Sequence, residues 1–94
     1  MAYRRPARLA KMFDMSRSTV YDYIKFIKKN MGKGKRYPAD IPIIEGSSGQ
    51  LILLSVFFDA YRWKKFVEMG VAPPYDSRAA DKYELYLGGP ENNE

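Results

Sequence analysis

The spacing of apolar residues predicts two helices in the first third of the chain. Pro6 suits a first helical turn because its φ is fixed and it has no N–H to leave unbonded, and the pattern continues to Met12. After a break, Ser16 is a typical N-cap for a second helix from Arg17 to about Asn30. That helix has one apolar face at helical spacing, made of Val20, Tyr23, Ile24 and Ile27.

A basic connector and a β-hairpin are predicted next. Residues 31–40 contain two glycines, a proline and three cations, which indicates an exposed and mobile loop. The aliphatic segments Ile41–Glu45 and Gln50–Leu54 flank Gly46–Gly49, and such a turn-forming connection is typical of a hairpin. A third helix is predicted from Val56 to Met69, with Ser55 as its cap.

These elements predict a mainly α domain with one small hairpin over residues 1–70. Residues 71–94 are predicted to add a last helix, from Asp76 or Ser77 to about Leu87, that packs on the third helix or mediates self-association. The residues in this segment that favour self-association are Tyr75, Tyr83, Tyr86 and Leu87. The predicted core consists of Leu9, Phe13, Val20, Ile24, Ile27, Ile43, Leu51, Leu53, Phe57, Tyr61 and Val67.

Positive charge is concentrated in the first part of the chain. Residues 1–38 hold eleven of the sixteen Lys and Arg but only two of the eleven Asp and Glu. The remaining residues are net acidic, so the overall charge of +5 hides a strongly basic N-terminal segment. Such a segment points to a polyanionic partner, and nucleic acid is the first candidate.

The composition excludes several classes of function. The chain has no cysteine and no histidine, so it lacks thiolate zinc sites, the commonest metal ligand and the commonest general base. We therefore expect a non-enzymatic protein without metal or cofactor. No apolar run approaches the twenty or so residues of a membrane span, and no secretory signal is evident, so we expect a location in the bacterial cytoplasm or on the nucleoid.

The first two helices have the pattern of a helix-turn-helix. Such a motif needs a small residue in the first helix, here Ala10, so that the second helix can cross close to it. It also needs apolar residues that pin the helices together, a role suited to Leu9, Phe13, Met15 and Val20. The usual glycine of the turn is replaced by Asp14, a residue that tolerates left-handed backbone better than most.

The segment Met15–Tyr21 resembles the start of the recognition helix in many bacterial and phage helix-turn-helix proteins. Over about Ala7 to Glu68, the element order resembles the small excisionase-like and MerR-like DNA-binding proteins of phages and mobile elements. That resemblance rests on Leu9-Ala10, Ser16–Tyr21, the basic connector Lys33–Tyr37, and the hairpin that leads into Ser55–Phe58. It implies a winged helix-turn-helix that binds specific double-stranded DNA, as a transcriptional regulator or an excisionase-type architectural factor. Wings of this group often carry a basic residue near the tip, whereas this tip is Gly46–Gly49.

Two sets of residues are predicted to contact DNA. The base-reading set is Arg17, Ser18, Tyr21 and Asp22, with Arg17 the best candidate for a bidentate contact to guanine. The second set would contact the DNA backbone and comprises Arg4, Arg5, Ser16, Thr19, Lys25, Lys28, Lys33, Lys35, Arg36, Ser47 and Ser48. A single recognition helix contacts few bases, so we also expect a homo-oligomer or cooperative assembly on DNA.

Two other functions fit the same sequence. The chain has the features expected of a DNA-docking accessory domain of a recombinase, small terminase or replication initiator. Alternatively it binds RNA, in which case Tyr3, Tyr21 or Tyr37 would stack on unpaired bases.

Overall fold

The computed structural model describes residues 2–80, which form three helices and a small antiparallel sheet of three strands. In chain order the elements are β1 (Tyr3–Arg4), α1 (Pro6–Met12), α2 (Arg17–Lys29), β2 (Ile43–Gly46), β3 (Gly49–Leu53) and α3 (Leu54–Glu68). The domain is therefore mixed α/β, and the prediction of a mainly α domain with one hairpin was incomplete.

The hairpin is tighter than predicted. β2 and β3 pair with Gly46 opposite Gly49, so Ser47 and Ser48 alone form the turn. Gly49 has φ of +114°, in the region that favours glycine. Ile41, which was predicted to open the first strand, lies before β2 and is exposed.

β1 was not predicted from the sequence. It pairs with β3 and places Arg4 opposite Ile52, which gives the strand order β1-β3-β2. Two residues are too few to show a period of two, so no local pattern marks this strand. Arg4 is consequently buried in the sheet, which argues against the predicted contact of its side chain with the DNA backbone.

α3 begins at Leu54, two residues before the predicted start, and the predicted cap Ser55 lies inside its first turn. The N–H groups of Leu53 and Leu54 donate to the carbonyls of Pro42 and Ala2, each at 2.8 Å. Backbone carbonyls next to the sheet thus bond two of the N–H groups at the start of α3 that have no partner within the helix.

The core lies between α3 and the elements packed against it, and all but three of the predicted core residues are buried. Leu51 and Val67 are half-buried, and Tyr61 is 39% exposed. Leu51 lies opposite the exposed Ile44, on the outer face of the hairpin, because neighbours along a strand point to opposite faces. Several buried residues were missed, namely Phe26, Tyr37, Ile52, Leu54, Val56, Phe58, Ala60 and Ala80.

An aromatic cluster holds the three helices together. The ring of Phe57 on α3 meets those of Phe13 and Tyr23 edge-on, with centroids 5.0 and 5.5 Å apart. The ring of Tyr61 also packs against that of Phe13, with the centroids 4.9 Å apart. Tyr61 thus covers the cluster from the solvent side, at the edge of the core. This packing turns one side of α2 toward α3 and leaves the opposite side to solvent.

The predicted last helix is only partly within the described residues. The carboxylate of Asp76 accepts a hydrogen bond from the N–H of Arg78 at 2.9 Å, which is the bond expected of a capping residue. The rest of that helix, to Leu87, lies outside the described residues.

Candidate nucleic-acid interface

The outer face of α2 carries all four side chains predicted to read bases. Arg17, Ser18, Tyr21 and Asp22 are exposed, whereas Val20 between them is fully buried. Residues one turn apart share a face of a helix, so these four form one polar surface over the first half of α2. Tyr21 is 47% exposed and is the largest side chain of this surface.

The turn between α1 and α2 has the conformation that a helix-turn-helix requires. Asp14 adopts φ of 51°, the left-handed conformation that glycine usually provides at this position. The N–H of Asp14 donates to the carbonyl of Lys11 at 3.3 Å, and that of Met15 donates to the carbonyl of Ala10 at 3.0 Å. These bonds close the turn and set the direction in which α2 begins.

Ser16 caps α2 as predicted. Its Oγ accepts a hydrogen bond from the N–H of Thr19 at 3.2 Å, and it also lies within 3.1 Å of the hydroxyls of Ser18 and Thr19. The hydroxyls of Ser16 and Thr19, both predicted to contact phosphates, thus contact one another in the free protein.

A cleft lies beside the exposed face of α2. It has a volume of about 270 Å³ and is open to solvent. The hairpin turn, the start of α1 and the start of α2 form its walls. Its lining residues are Arg5, Pro6, Ala7, Arg17, Tyr21, Ser48, Gly49 and Gln50. The structure therefore brings two predicted backbone contacts from one end of the sheet, Arg5 and Ser48, next to two of the predicted base-reading residues, Arg17 and Tyr21.

The basic connector is anchored to α3, contrary to prediction. The N–H of Tyr37 donates to the carbonyl of Asn30 at 2.9 Å, and Arg36 forms two hydrogen bonds to Asp59, from Nε at 2.7 Å and from Nη2 at 3.0 Å. The hydroxyl of Tyr37 donates to the same carboxylate at 2.7 Å. We call Arg36, Tyr37 and Asp59 the clasp. The structure argues against the predicted contact of Arg36 with DNA, because a carboxylate already engages its guanidinium and only 13% of the side chain is exposed.

The buried surroundings of the clasp change its protonation equilibria. The hydrogen bond to Asp59 raises the pKa of the Arg36 guanidinium. Burial, reinforced by the hydrogen bond to Asp59, raises the pKa of Tyr37 far above its ordinary value. Arg36 and Tyr37 therefore keep their protons at neutral pH.

The predicted lysine contacts are exposed at the end of α2 and in the connector. Lys25 and Lys33 are exposed. Lys28 lies 3.5 Å from the carboxylate of Glu45, in a surface ion pair that is weak enough to exchange for a phosphate. Lys35 is exposed as well, and its Nζ donates to a carbonyl at the end of α2 at 3.3 Å.

The tyrosines predicted to stack on RNA bases have different environments. Tyr37 is fully buried in the clasp, so the prediction that it stacks on bases is wrong. Tyr3 is half-buried, and its hydroxyl donates to the carbonyl of Ile41 at 2.8 Å. Of the three, only Tyr21 is exposed, with 47% of its surface accessible.

The segment predicted to mediate self-association contains both free and engaged residues. Val71 and the neighbouring Met69 and Phe66 form an exposed apolar surface at the end of α3. Tyr75, by contrast, is half-buried with its hydroxyl 2.8 Å from that of Ser55, so it packs within the chain. The other residues predicted for this role, Tyr83, Tyr86 and Leu87, lie outside the described residues.

The described part of the chain lacks the features of two further kinds of site. Residues 2–80 contain no group of three or more acidic side chains that could hold a metal ion. Within the same residues, no helix combines the length and the apolar character needed to cross a membrane.

Comparison with known proteins finds no relative of this chain. No protein-family model matches the sequence, and neither the curated proteins nor the solved structures contain a match.

Proposed function

We propose that this protein is a winged helix-turn-helix protein that binds specific sequences of double-stranded DNA. In this proposal α1 and α2 are the helix-turn-helix, and the β2–β3 hairpin is the wing. The observation that carries the proposal is the exposed polar face of α2, which starts directly after a tight turn at Asp14 and lies beside the hairpin turn.

The proposed mechanism places α2 in the major groove. Arg17 would donate two hydrogen bonds to a guanine, and the neighbouring Ser18, Tyr21 and Asp22 would contact the adjacent base edges. Lys25, one turn further along the helix, would lie nearer the DNA backbone. The four side chains are exposed on this face, where base edges would be within their reach.

The proposed backbone contacts come from the basic residues that remain exposed. Lys33 and Lys35 are exposed, and no carboxylate within residues 2–80 forms an ion pair with them. These cations would position α2 without selecting a sequence. All of these cations belong to the basic N-terminal segment, whose charge predicts a polyanionic partner.

The proposed biological role is that of a transcriptional regulator or of an excisionase-type architectural factor in a phage or mobile element. One recognition helix makes few base contacts, so we propose that copies bind adjacent sites cooperatively. Titration of DNA that carries one or two sites tests this directly. Tighter binding per site on the two-site DNA is expected, whereas equal affinity per site would argue against cooperation.

Selection from a library of randomised duplexes tests the proposed function. The expected result is enrichment of one sequence motif, and binding to that duplex should withstand competition from single-stranded RNA of the same length. Failure to enrich any motif would contradict sequence-specific binding. More effective competition by the RNA than by duplex DNA would instead favour an RNA-binding function.

A further inference from the structure

The hairpin turn has no charged residue of its own, yet a guanidinium lies against it. The turn consists of Ser47 and Ser48 between Gly46 and Gly49. Arg5, which is 43 residues away in sequence, donates a hydrogen bond from Nη1 to the carbonyl of Ser48 at 3.0 Å. The fold therefore supplies the turn with a cation that the sequence of the hairpin lacks.

Arg5 is held in this position from both ends. Its carbonyl accepts hydrogen bonds from the N–H groups of Arg8 and Leu9, each at 3.0 Å, so its backbone belongs to the start of α1. Its side chain is fixed by the carbonyl of Ser48 at the other end. A guanidinium has five N–H donors, and the bond to Ser48 uses one of them. The remaining donors can bind a further acceptor without a large loss of side-chain freedom.

The cleft next to Arg5 suits an anion. Arg5 and Arg17 both line it, together with the hydroxyl-bearing side chains of Tyr21 and Ser48. None of its lining residues is acidic. Within residues 2–80, neither guanidinium forms a salt bridge with a carboxylate. Two uncompensated positive charges in one concave surface raise the local concentration of anions.

We propose that Arg5 serves as the cation of the hairpin turn and binds one backbone phosphate of the duplex whose bases α2 reads. The proposal rests on the proposed function, and it assigns different tasks to the two arginines of the cleft. A phosphate carries no sequence information, so Arg5 strengthens binding to every duplex equally. Arg17, on the outer face of α2, discriminates between duplexes.

The salt dependence of binding to a mixed-sequence duplex of about 20 base pairs tests this proposal without knowledge of the specific site. Each lost phosphate contact lowers the slope of log affinity against log salt by about 0.9. Arg5→Ala should therefore lower the slope by about 0.9 and weaken binding about eightfold at 0.1 M salt. The control is Lys65→Ala in α3, about 16 Å along the helix from the sheet, which should leave the slope unchanged.

Two further variants separate a phosphate contact from a structural role. Arg5→Lys keeps the charge and should keep most of the slope. Ser47→Arg, added to Arg5→Ala, returns a cation to the turn and should restore the slope. Loss of slope in Arg5→Lys, combined with no rescue by Ser47→Arg, would mean that Arg5 only supports the hairpin, and it would overturn the proposal.

The remaining outcomes distinguish this proposal from the proposed function. An unchanged slope in Arg5→Ala, with normal binding by the wild type, would overturn the role of Arg5 and leave DNA binding intact. Failure of the wild type to bind any duplex would overturn both. Circular dichroism of each variant verifies that the fold is retained.

Discussion

The clasp makes a specific prediction about stability. Asp59 is only 6% exposed and accepts three hydrogen bonds, two from Arg36 and one from Tyr37. Asp59→Asn keeps the size of the side chain but removes its charge. The asparagine side chain has one acceptor oxygen where the aspartate has two. Its NH₂ group is itself a donor and would face the donors of Arg36 or Tyr37. The variant therefore leaves a nearly buried guanidinium without a counter-ion.

The expected loss follows from this environment. Removing one partner of a buried ion pair typically costs about 3 to 5 kcal/mol, because the other charge remains buried and uncompensated. Arg36 is 13% exposed and retains some access to water, so we expect the lower end, about 3 kcal/mol. A domain of this size shifts its melting temperature by roughly 4 to 8 °C per kcal/mol, which gives a decrease of about 12 to 24 °C.

Urea denaturation followed by circular dichroism and by the fluorescence of Trp63 measures the effect. Trp63 lies one turn after Asp59 on α3 and reports on the same helix. The midpoint should fall with little change in the dependence of the free energy of unfolding on urea. Arg36→Ala is the matched variant, and the double variant should lose much less stability than the sum of the single losses. A loss below about 1 kcal/mol for Asp59→Asn, or additive losses, would refute the reasoning.

Three other predictions concern the connector, the cap of α2 and alkaline pH. Replacing both Lys33 and Lys35 with alanine should lower the salt slope of DNA binding by about 1.8, and adding Arg36→Ala should lower it no further. Ser16→Ala should reduce the free energy of unfolding in urea by about 1 kcal/mol, because the N–H of Thr19 loses its acceptor. The free energy of unfolding should fall above pH 10, because the unfolded chain ionises Tyr37 there while burial keeps the folded phenol protonated. Tyr37 should contribute up to about 1.4 kcal/mol per pH unit to this loss of stability. In Tyr37→Phe the free energy of unfolding, measured by urea denaturation between pH 9 and about 11, should therefore depend less steeply on pH.

Elements with strong local signals were predicted well from the sequence. α2 ends within one residue of its predicted end, because a capping serine and a clear apolar period mark it. The same period identified its outer face, so the exposure of Arg17 and Tyr21 followed from spacing alone. The unusual backbone at Asp14 was also compatible with the chemistry of that residue.

Contacts between distant parts of the chain were not predicted. Arg36 was interpreted as one of several solvated cations, because nothing near it in sequence indicates a partner 23 residues away. Arg5 was predicted only as a contact to the DNA backbone, and its hydrogen bond to the hairpin turn was missed because it spans 43 residues. The strand β1 was missed for the same reason, because it exists only through its pairing with β3. Charge patterns thus identified a basic segment but could not separate its structural cations from those that remain exposed.

Binding of Arg17→Ala to a selected duplex and to a scrambled duplex of equal composition tests the central claim most directly. If α2 reads bases through Arg17, the variant should lose about 1 to 3 kcal/mol, roughly 5- to 150-fold in affinity, on the selected duplex and far less on the scrambled one. Arg78→Ala, an exposed arginine outside the proposed interface, should bind both duplexes like the wild type. Equal losses on the two duplexes for Arg17→Ala would contradict the claim that this residue reads sequence.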